Sequence, residues 1–322
     1  MSENLLEIKN LDVIYKTKKN IFGAVSEIFA VNNVSLEIKK GEILAIAGES
    51  GCGKSTLAKA MMKLVDTKSG EIKLEGKNIL ELKKRKELKD FYQKVQMIFQ
   101  NPYSSLNPKM KIGQILKEPL EINTKLSKSE IDKIIEEKIE KVGLDKNSLQ
   151  LYPHEFSGGQ RQRIAIARSL ILNPEFIIAD EPVSALDVSI QAQIINLLKE
   201  LKNDFNLTFL FISHDLRVIK YISDRIAIMY LGEIVEIGKT EEIFKNPKHP
   251  YTKALLSSVP ELNPTERKEK IHLTGELPSP EALPGGCKFH TRCPYVMDIC
   301  KTKHPESKQV SPGHKCKCFL QN

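Results

Sequence analysis

Residues 42–55 read EILAIAGESGCGKS, a short apolar strand pattern that runs into a glycine-rich turn. From Gly48 the turn matches G-x-x-x-x-G-K-[ST], and a helical pattern follows from Lys54 to about residue 64. Glycines at this spacing let successive backbone N–H groups face phosphates at the positive end of a helix. Lys54 would then reach the β- and γ-phosphates, and the Ser55 hydroxyl would bind Mg²⁺. Residues 48–55, the phosphate loop, therefore predict a nucleoside-triphosphate site.

Alternating strand and helix patterns surround the phosphate loop. Further strand patterns lie at 6–15, 34–38, 71–74, 95–99, 176–179 and 207–212, and helical patterns at 160–172 and 189–201. Residues 101 to about 156 differ, because they are polar, rich in Lys and Glu, and helical in spacing. The alternation predicts an α/β fold with a mostly parallel sheet flanked by helices, and residues 101–156 predict a helical insertion.

The composition narrows the class of protein. The chain has 322 residues, 41% of them hydrophobic, which suits about two folded domains and excludes disorder. Its longest apolar run, 226–231, is far shorter than the ~20 residues of a membrane span. Residues 1–7 lack the features of a secretory signal. The net charge of +8 favours a nucleotide, nucleic acid or acidic membrane as partner, and the absence of Trp weakens the nucleic-acid alternative.

Two later motifs suit phosphate chemistry. Residues 176–182 read FIIADEP, an apolar strand that ends in Asp180, which can hold the Mg²⁺ shell, and Glu181, which can orient or deprotonate the attacking water. Residues 156–160 read FSGGQ at the start of a helical pattern. That motif predicts a second anion-binding helix N-terminus, although Ser-Gly-Gly is also common in linkers.

In this order the motifs resemble those of the ATP-binding cassette (ABC) ATPases, over about residues 1–250. The resemblance implies a P-loop NTPase core with a mostly parallel sheet, an antiparallel β subdomain and a helical subdomain at about 101–156. It implies that the residues that bind ATP are Tyr15, Gly48, Glu49, Ser50, Gly51, Cys52, Gly53, Lys54, Ser55, Thr56, Gln100 and Asp180. It implies that Ser55 and Gln100 bind Mg²⁺, with Asp180 behind them. It also implies catalytic roles for Glu181 and the switch residue His214, and a D-loop role for Asp187.

The same resemblance implies a paired assembly. In this family two cassettes pair head to tail, and the signature motif of one completes the ATP site of the other. The signature residues that would act on the partner's ATP are Ser157, Gly158, Gly159 and Gln160.

Five of the six cysteines, Cys287, Cys293, Cys300, Cys316 and Cys318, lie in the last 36 residues. Such a cluster predicts a metal site, and the spacing leaves Zn²⁺ and an iron–sulfur cluster open because no Cys-x-x-Cys pair is present. Three nearby histidines would suit zinc: His290, His304 and His314. Cys52, which stands alone, is interpreted as a filler in the phosphate loop.

A narrower resemblance covers nearly the whole chain. NPKHPYTKA at 246–254, GELPSP at 275–280, CKFHTRC at 287–293 and FQNPYSSLNP at 99–108 resemble the ATP-binding subunits of bacterial dipeptide and oligopeptide importers, above all the second such subunit of dipeptide transporters. This resemblance implies a [4Fe–4S] cluster, with Zn²⁺ as the alternative, on Cys287, Cys293, Cys300 and Cys318. The family's fourth cysteine follows a His by four residues, which selects Cys318 after His314. Cys316 stands where the family usually has an aliphatic residue.

These resemblances imply an ATP-hydrolysing subunit that energises import of dipeptides or oligopeptides. We expect a nucleotide-binding domain at 1–250 and an extension with the cysteines at 251–322. The expected partners are a second cassette, two membrane permease subunits and, indirectly, an extracellular solute-binding protein. The second cassette is expected to be homologous, with an identical copy as the alternative. The expected place is the cytoplasmic face of the membrane. A nickel, glutathione or oligosaccharide importer is the alternative. A soluble cassette acting on nucleic acid or ribosomes is less favoured, and we expect no nucleic-acid partner.

Overall fold

The computed structural model describes residues 4–18, 25–101, 105–258, 271, 273 and 275–321. The strands in these ranges are β1 (Asn4–Lys18), β2 (Val25–Lys39), β3 (Ile43–Ala47), β4 (Ser69–Leu74), β5 (Lys77–Asn78), β6 (Val95–Ile98), β7 (Phe176–Asp180), β8 (Thr208–Ile212), β9 (Arg225–Tyr230), β10 (Glu233–Lys239), β11 (Lys308–Ser311) and β12 (His314–Cys316). The α-helices are α1 (Lys54–Met61), α2 (Arg85–Lys94), α3 (Ile112–Asn123), α4 (Lys128–Lys141), α5 (Gly158–Leu170), α6 (Val188–Asp204), α7 (Leu216–Ile222), α8 (Thr240–Lys245), α9 (Pro250–Ser257) and α10 (Asp298–Thr302).

The chain divides into two compact units. Unit one comprises residues 1–39, 43–80 and 213–322, and unit two comprises residues 40–42 and 81–212. The phosphate loop and the cysteines belong to unit one, whereas the FIIADEP and FSGGQ motifs belong to unit two. The boundary near residue 250 stays a prediction.

Unit one contains an antiparallel sheet in the order β2–β1–β4–β5. Alternate residues of β1, such as Leu6 and Ile8, are buried, and they lie opposite Ile38 and Leu36 of β2. One apolar face per strand is the pattern of a sheet that covers a core on one side. This sheet corresponds to the antiparallel subdomain that the family resemblance implies.

The other strands of unit one follow the order β11–β12–β10–β9–β3. Strand β3 is buried along its whole length and runs parallel to β9, as an apolar strand flanked by helices should. A tight turn at Leu231 and Gly232, both with positive φ, joins β9 to β10. The C-terminal strand β12 pairs with β10, with Cys316 opposite Glu236. The segment that the sequence presents as loop-rich thus adds strands to this sheet.

Unit two holds three parallel strands in the order β8–β7–β6. Strands β7 and β8 are buried throughout, and helices α5 and α6 each turn an apolar side toward the core of this unit. The predicted helical insertion contains α3 and α4, and α4 begins at a capping box in which Ser127 and Glu130 exchange hydrogen bonds.

The sequence located most elements and misjudged several ends. The strand predicted at 6–15 extends over Asn4–Lys18, and the helix predicted at 160–172 occupies Gly158–Leu170. Helix α2 has no counterpart in the prediction, because most of its residues are charged and only Phe91 is buried. Residues 102–104 of the FQNPYSSLNP motif lie outside the described residues. None of the helices in the described ranges is long and apolar enough to span a membrane.

Candidate nucleotide-binding site

The phosphate loop connects the buried strand β3 to helix α1, as its sequence predicts. Gly53 adopts φ +107, and a Cβ there would lie 2.1 Å from the backbone oxygen of Ala30. Only glycine fits this position, since any side chain would collide with backbone that cannot move aside. Helix α1, which is eight residues long, begins at Lys54 immediately after this turn.

The Lys54 side chain folds back onto the phosphate loop. It is buried, and Nζ donates hydrogen bonds to the backbone oxygens of Gly48 at 2.9 Å and Glu49 at 3.0 Å. Cys52 is buried beside it, and burial raises the pKa of the thiol despite the neighbouring lysine. A neutral, buried thiol supports the interpretation of Cys52 as a filler.

Glu49 carries contacts that the sequence motif does not indicate. Its carboxylate accepts two hydrogen bonds from the Arg292 guanidinium, at 2.8 and 3.1 Å, and its backbone N–H donates to the Tyr251 hydroxyl at 2.9 Å. Arg292 lies 243 positions further along the chain. No local signal in the sequence could have joined these residues, because the contact exists only through the fold.

The remaining predicted ATP-site residues of unit one lie at or near the surface. Tyr15 on β1 is 40% exposed, as a platform for a stacked ring requires. His214 is exposed in the turn between Ser213 and Asp215, and Asp215 caps α7 by accepting from the Arg217 N–H at 2.8 Å. Ser50 and Gly51 are exposed at the tip of the phosphate loop, while Ser55 and Thr56 are half-buried in α1.

Unit two brings together two residues that the sequence assigns to hydrolysis. Gln100 follows β6, Glu181 follows β7, and Gln100 Nε2 donates to Glu181 Oε2 at 2.9 Å. Glu181 adopts φ +47, a strained conformation for this residue type, and its N–H donates to the Ile212 oxygen at 2.9 Å. Asp180, one residue earlier, is buried at the end of β7. The carboxylate pair thus ends the strand as its sequence predicts.

The signature motif forms the start of α5. Ser157 accepts from the Gln160 N–H at 3.3 Å, and the Gln160 side chain accepts from the Ser157 N–H at 2.9 Å. A Cβ on Gly159 would lie 2.5 Å from Ile190 Cγ2, whereas Ser157 and Gln160 themselves are exposed. The helix N-terminus therefore presents its N–H groups at the surface of unit two. Asp187 occupies the exposed N-cap position of α6.

Four cysteines meet at one small pocket in unit one. The lining residues are Cys287, Cys293, Cys300 and Cys318, together with His249, Pro250, Phe289, His290, Tyr295, Phe319 and Leu320. Gly286 allows the close approach of two of the segments involved, because a Cβ there would lie 2.4 Å from the Cys300 oxygen. Burial and the neighbouring cysteines raise the pKa of the Cys287 thiol to about 11. All the cysteines are free thiols.

Cys316 is not among the residues that line the cysteine pocket. It is buried on β12 opposite Glu236, whose carboxylate accepts from His314 Nε2 at 2.7 Å and from the His249 N–H at 2.9 Å. Burial raises the pKa of the Cys316 thiol well above its usual range. Cys318 lines the pocket and Cys316 does not, and the choice of Cys318 as a ligand stays a prediction.

The structure does not show the metal site that the sequence predicts. No group of three or more His, Cys, Asp or Glu side chains within the described ranges is placed to hold a single metal ion. The pocket is nevertheless lined by four thiols, the ligand chemistry of an iron–sulfur cluster, and by two imidazoles, those of His249 and His290. Zinc also accepts four thiolates, but around one ion.

Comparison with known proteins identifies two family regions. Residues 31–184 match the ABC transporter family, and residues 235–300 match the C-terminal region of the oligopeptide/dipeptide transporter family. The oligopeptide transport ATP-binding protein AppF of Bacillus subtilis is 49% identical over 99% of this chain and 98% of its own length. The dipeptide transport ATP-binding protein DppF of Escherichia coli is 47% identical over 99% of this chain and 95% of its own length.

Solved structures show the same fold. The dimeric ATP-binding cassette MJ0796 bound to ADP and phosphate superimposes with a TM-score of 0.65 at 31% identity, covering 73% of this chain and 98% of the cassette. CbiO1 from Clostridium perfringens, part of an ABC transporter complex, gives a TM-score of 0.65 at 27% identity, over 76% of this chain and 92% of its own. The chain therefore belongs to the ABC transporter family, in its branch of oligopeptide and dipeptide transport ATP-binding proteins.

Proposed function

We propose that this chain is the ATP-hydrolysing subunit that energises a dipeptide or oligopeptide importer. The observation that carries the proposal is the hydrogen bond between Gln100 and Glu181, which joins two motifs 81 positions apart at the ends of β6 and β7. A glutamine that holds a carboxylate at the end of parallel strands is suited to order water and Mg²⁺ beside a phosphate. The near full-length likeness to peptide-transport ATP-binding proteins supplies the cargo class.

ATP would enter unit one at the phosphate loop. Tyr15 stacks on the adenine, and the N–H groups of the loop and of α1 bind the phosphates. Lys54 must first release the oxygens of Gly48 and Glu49, to which it donates in this structure, before it can donate to the β- and γ-phosphates. Gly48, Ser50, Gly51, Cys52, Gly53 and Thr56 shape the rest of this nucleotide-binding set.

Hydrolysis requires an oriented water and a balanced charge. Glu181 acts as the base that accepts a proton from the water, Gln100 holds the Glu181 carboxylate, and His214 contacts the γ-phosphate. The residues that would hold Mg²⁺ are Ser55 and Gln100, with Asp180 behind them. When bound, Mg²⁺ neutralises charge on the phosphate oxygens.

A second cassette would complete each ATP site. Ser157, Gly158, Gly159 and Gln160 lie at a helix N-terminus that presents its N–H groups at the surface, where they can bind the γ-phosphate of a nucleotide held by another chain. Asp187 lies at the exposed start of α6. We propose that the partner is a homologous cassette rather than an identical one.

The importer would place this chain at the cytoplasmic face of the membrane. Two permease subunits would dock on the helical insertion of α3 and α4 and on the segment around Gln100, and the extracellular solute-binding protein would act on the chain only through them. The cargo distinguishes this proposal from a nickel, glutathione or oligosaccharide importer.

Uptake in cells tests both the ATPase and the cargo. We expect Lys54→Ala to abolish uptake of a labelled dipeptide while leaving nickel uptake unchanged, since the variant removes the only lysine of the phosphate loop. Arg85→Ala, an exposed change at the start of α2, serves as the control and should import normally. Unchanged dipeptide uptake together with lost nickel uptake would replace the peptide cargo by a metal.

We further propose that the cysteine pocket holds a [4Fe–4S] cluster on Cys287, Cys293, Cys300 and Cys318, with Zn²⁺ as the alternative. Each thiolate of such a cluster binds a different iron, so the four sulfurs stand farther apart than the ligands of one ion. The four cysteines that line one pocket match the number of ligands that such a cluster takes. When bound, the cluster would join three segments of unit one: the loop from Cys287 to Cys293, helix α10 and the residues after β12.

Metal analysis of anaerobically purified protein tests the cluster. The expected result is about four irons and four acid-labile sulfides for each chain, with a brown colour. A colourless preparation that contains one zinc per chain would contradict the cluster and establish the alternative.

A further inference from the structure

The loop between Cys287 and Cys293, here the cysteine loop, carries two cations, and each is adjacent to a cysteine of the pocket. Lys288 Nζ lies 2.7 Å from the buried Glu233 carboxylate and donates to the Leu231 oxygen at 3.2 Å. Arg292, whose side chain is only 10% exposed, forms the paired hydrogen bonds with Glu49. Both ends of the cysteine loop are therefore tied to other parts of unit one.

Arg292 fixes the phosphate loop through Glu49. This residue is held at three points: Arg292 binds its carboxylate, the Tyr251 hydroxyl accepts its N–H, and its carbonyl oxygen accepts from Lys54. A carboxylate in a phosphate-binding loop repels the nucleotide unless a cation neutralises it. A paired Arg–carboxylate contact supplies that charge and a fixed geometry together.

A second contact reaches the phosphate loop from Lys288. The Leu231–Gly232 turn receives the Lys288 hydrogen bond at its first residue, and the N–H of Gly232 donates to the Cys52 oxygen at 2.9 Å. The cysteine loop thus contacts the phosphate loop directly through Arg292 and, through one intervening turn, at Cys52.

Aromatic packing lies beside the same two loops. Phe289, in the middle of the cysteine loop, lines the cysteine pocket, and its ring centroid lies 5.5 Å from that of Tyr251 and 5.3 Å from that of Tyr230. All three side chains are fully buried, and close-packed interiors transmit displacement rather than absorb it. A change in the cysteine loop therefore cannot leave Tyr251, and with it the N–H of Glu49, in place.

We propose that Arg292 is a positioning residue for the phosphate loop, and that the state of the cysteine pocket sets the affinity of the chain for ATP through the Arg292–Glu49 contact. The inference rests on the proposed nucleotide site and, for its second part, on the proposed metal occupant. A filled pocket orders the cysteine loop and keeps Arg292 on Glu49. An emptied pocket releases Arg292, so that the Glu49 carboxylate faces the phosphates unneutralised.

The test measures the Kd of Mg-ATP with the full chain, purified anaerobically. We expect Arg292→Gln to raise the Kd about tenfold, the effect of one lost charge-assisted contact. Glu49→Ala in the Arg292→Gln background should bring the Kd back toward the wild-type value, because the unneutralised charge is then gone. Arg292→Lys should restore part of the affinity. Lys73→Gln, which removes an exposed ion pair with Glu71 in the same unit, is the control and should not change the Kd.

A kinetic comparison separates positioning from general damage. In the assembled transporter, Arg292→Gln should raise the KM for ATP while kcat stays within about twofold, because Arg292 does not touch the reacting atoms. Equal loss of kcat and kcat/KM, or an unchanged Kd with a properly folded variant, would overturn the proposal. If Arg292→Gln does not fold, Arg292→Lys, which keeps the charge but loses the paired contact, must still raise the Kd above the wild-type value.

A separate experiment tests whether the cysteine pocket affects the Kd of Mg-ATP. Cys293→Ser should lower the metal content and raise the Kd of Mg-ATP to the level of Arg292→Gln, with no additional loss when the two changes are combined. Lost metal with an unchanged Kd would overturn the link. A chain that binds Mg-ATP but never contains iron or zinc would refute the proposed occupant, while the Arg292 measurement would still decide the positioning role. A chain that does not bind Mg-ATP at all would refute the nucleotide site itself.

Discussion

The phosphate loop and the cysteine pocket are both irregular segments of unit one, but they are assembled differently. The phosphate loop consists of eight consecutive residues, six between β3 and α1 and the first two of α1, and Lys54 donates to the Gly48 oxygen within that stretch. The pocket draws its lining from positions between 249 and 320 and depends on the buried carboxylates Glu233 and Glu236 for support. A local motif is therefore readable from sequence, whereas a pocket made of distant segments is known only from the fold.

Glu181→Gln is the most direct test of a site residue that was predicted from a local sequence motif. We expect ATP hydrolysis to fall by about 100-fold or more with ATP binding retained, because the amide cannot accept a proton from the attacking water. Steady-state ATPase assays and size-exclusion chromatography with ATP measure the two effects, and the paired cassettes should persist as a dimer. Glu175→Gln, a carboxylate just before β7, is the control. Normal turnover by Glu181→Gln would refute its role.

Two cysteine variants test the pocket. Cys300→Ala should strip most of the iron from the protein, because it removes one of the four lining thiols. Cys316→Ala, a buried cysteine only two residues from Cys318, should retain the iron. Iron content by elemental analysis decides the result, and the opposite pattern would make Cys316 the ligand.

Lowering the pH tests how much Glu233, one of the carboxylates that support the cysteine pocket, contributes to stability. Burial opposes ionisation of Glu233, but the His304 hydrogen bond and the charges of Lys288 and Lys317 outweigh it and lower the pKa to about 2. Because the pKa is lower in the folded state than its ordinary value of 4.5, the stability is present above pH 4.5 and is lost as pH falls toward 2. The contribution at neutral pH is about 3 kcal/mol.

Urea unfolding of wild type and Glu233→Gln, compared at pH 6 and pH 3.5, measures this contribution. The wild type should lose more free energy of unfolding between the two pH values than the variant does. Equal losses would show that Glu233 ionises in the folded protein as it does in the unfolded chain.

The smallest effect is expected at the signature helix. Ser157→Ala removes the acceptor for the Gln160 N–H and should cost about 1 kcal/mol of stability, as should Ser127→Ala at the matching cap of α4. Only Ser157→Ala should also reduce ATP hydrolysis by the paired cassettes, since only that serine is proposed to contact the partner's nucleotide. Equal ATPase rates in the two variants would mean that Ser157 serves the helix alone.

Much of the ATP site could be predicted because its residues occur in short runs with their own physical signature. The apolar strand pattern followed by glycines and Lys54 predicted the phosphate loop, and the apolar run before Asp180 predicted the end of β7. The family resemblance, not spacing, assigned Gln100 to the ATP site and chose Cys318 over Cys316, whereas the contact between Gln100 and Glu181 appears only in the structure. The roles assigned to individual site residues stay predictions.

The rest depends on contacts that no local pattern encodes. Arg292 belongs to the CKFHTRC motif, but nothing in that motif points to Glu49, 243 positions away. Strands β11 and β12 are short and mostly polar, and neither shows a strand pattern. Strand β12 pairs with β10 beside the buried Glu236–His314 contact, and β11 pairs with β12. Tertiary contacts specify these two strands, and a single sequence does not reveal such contacts.

Simultaneous measurement of ATP hydrolysis and dipeptide uptake tests the central claim most directly. Proteoliposomes would contain the complete transporter with the wild-type chain or Lys54→Ala, supplied with ATP on the side of the cassettes and peptide-loaded binding protein on the other. The account predicts that wild type couples hydrolysis to dipeptide accumulation and that Lys54→Ala loses both. Dipeptide accumulation that continues with Lys54→Ala, or without ATP, would contradict it.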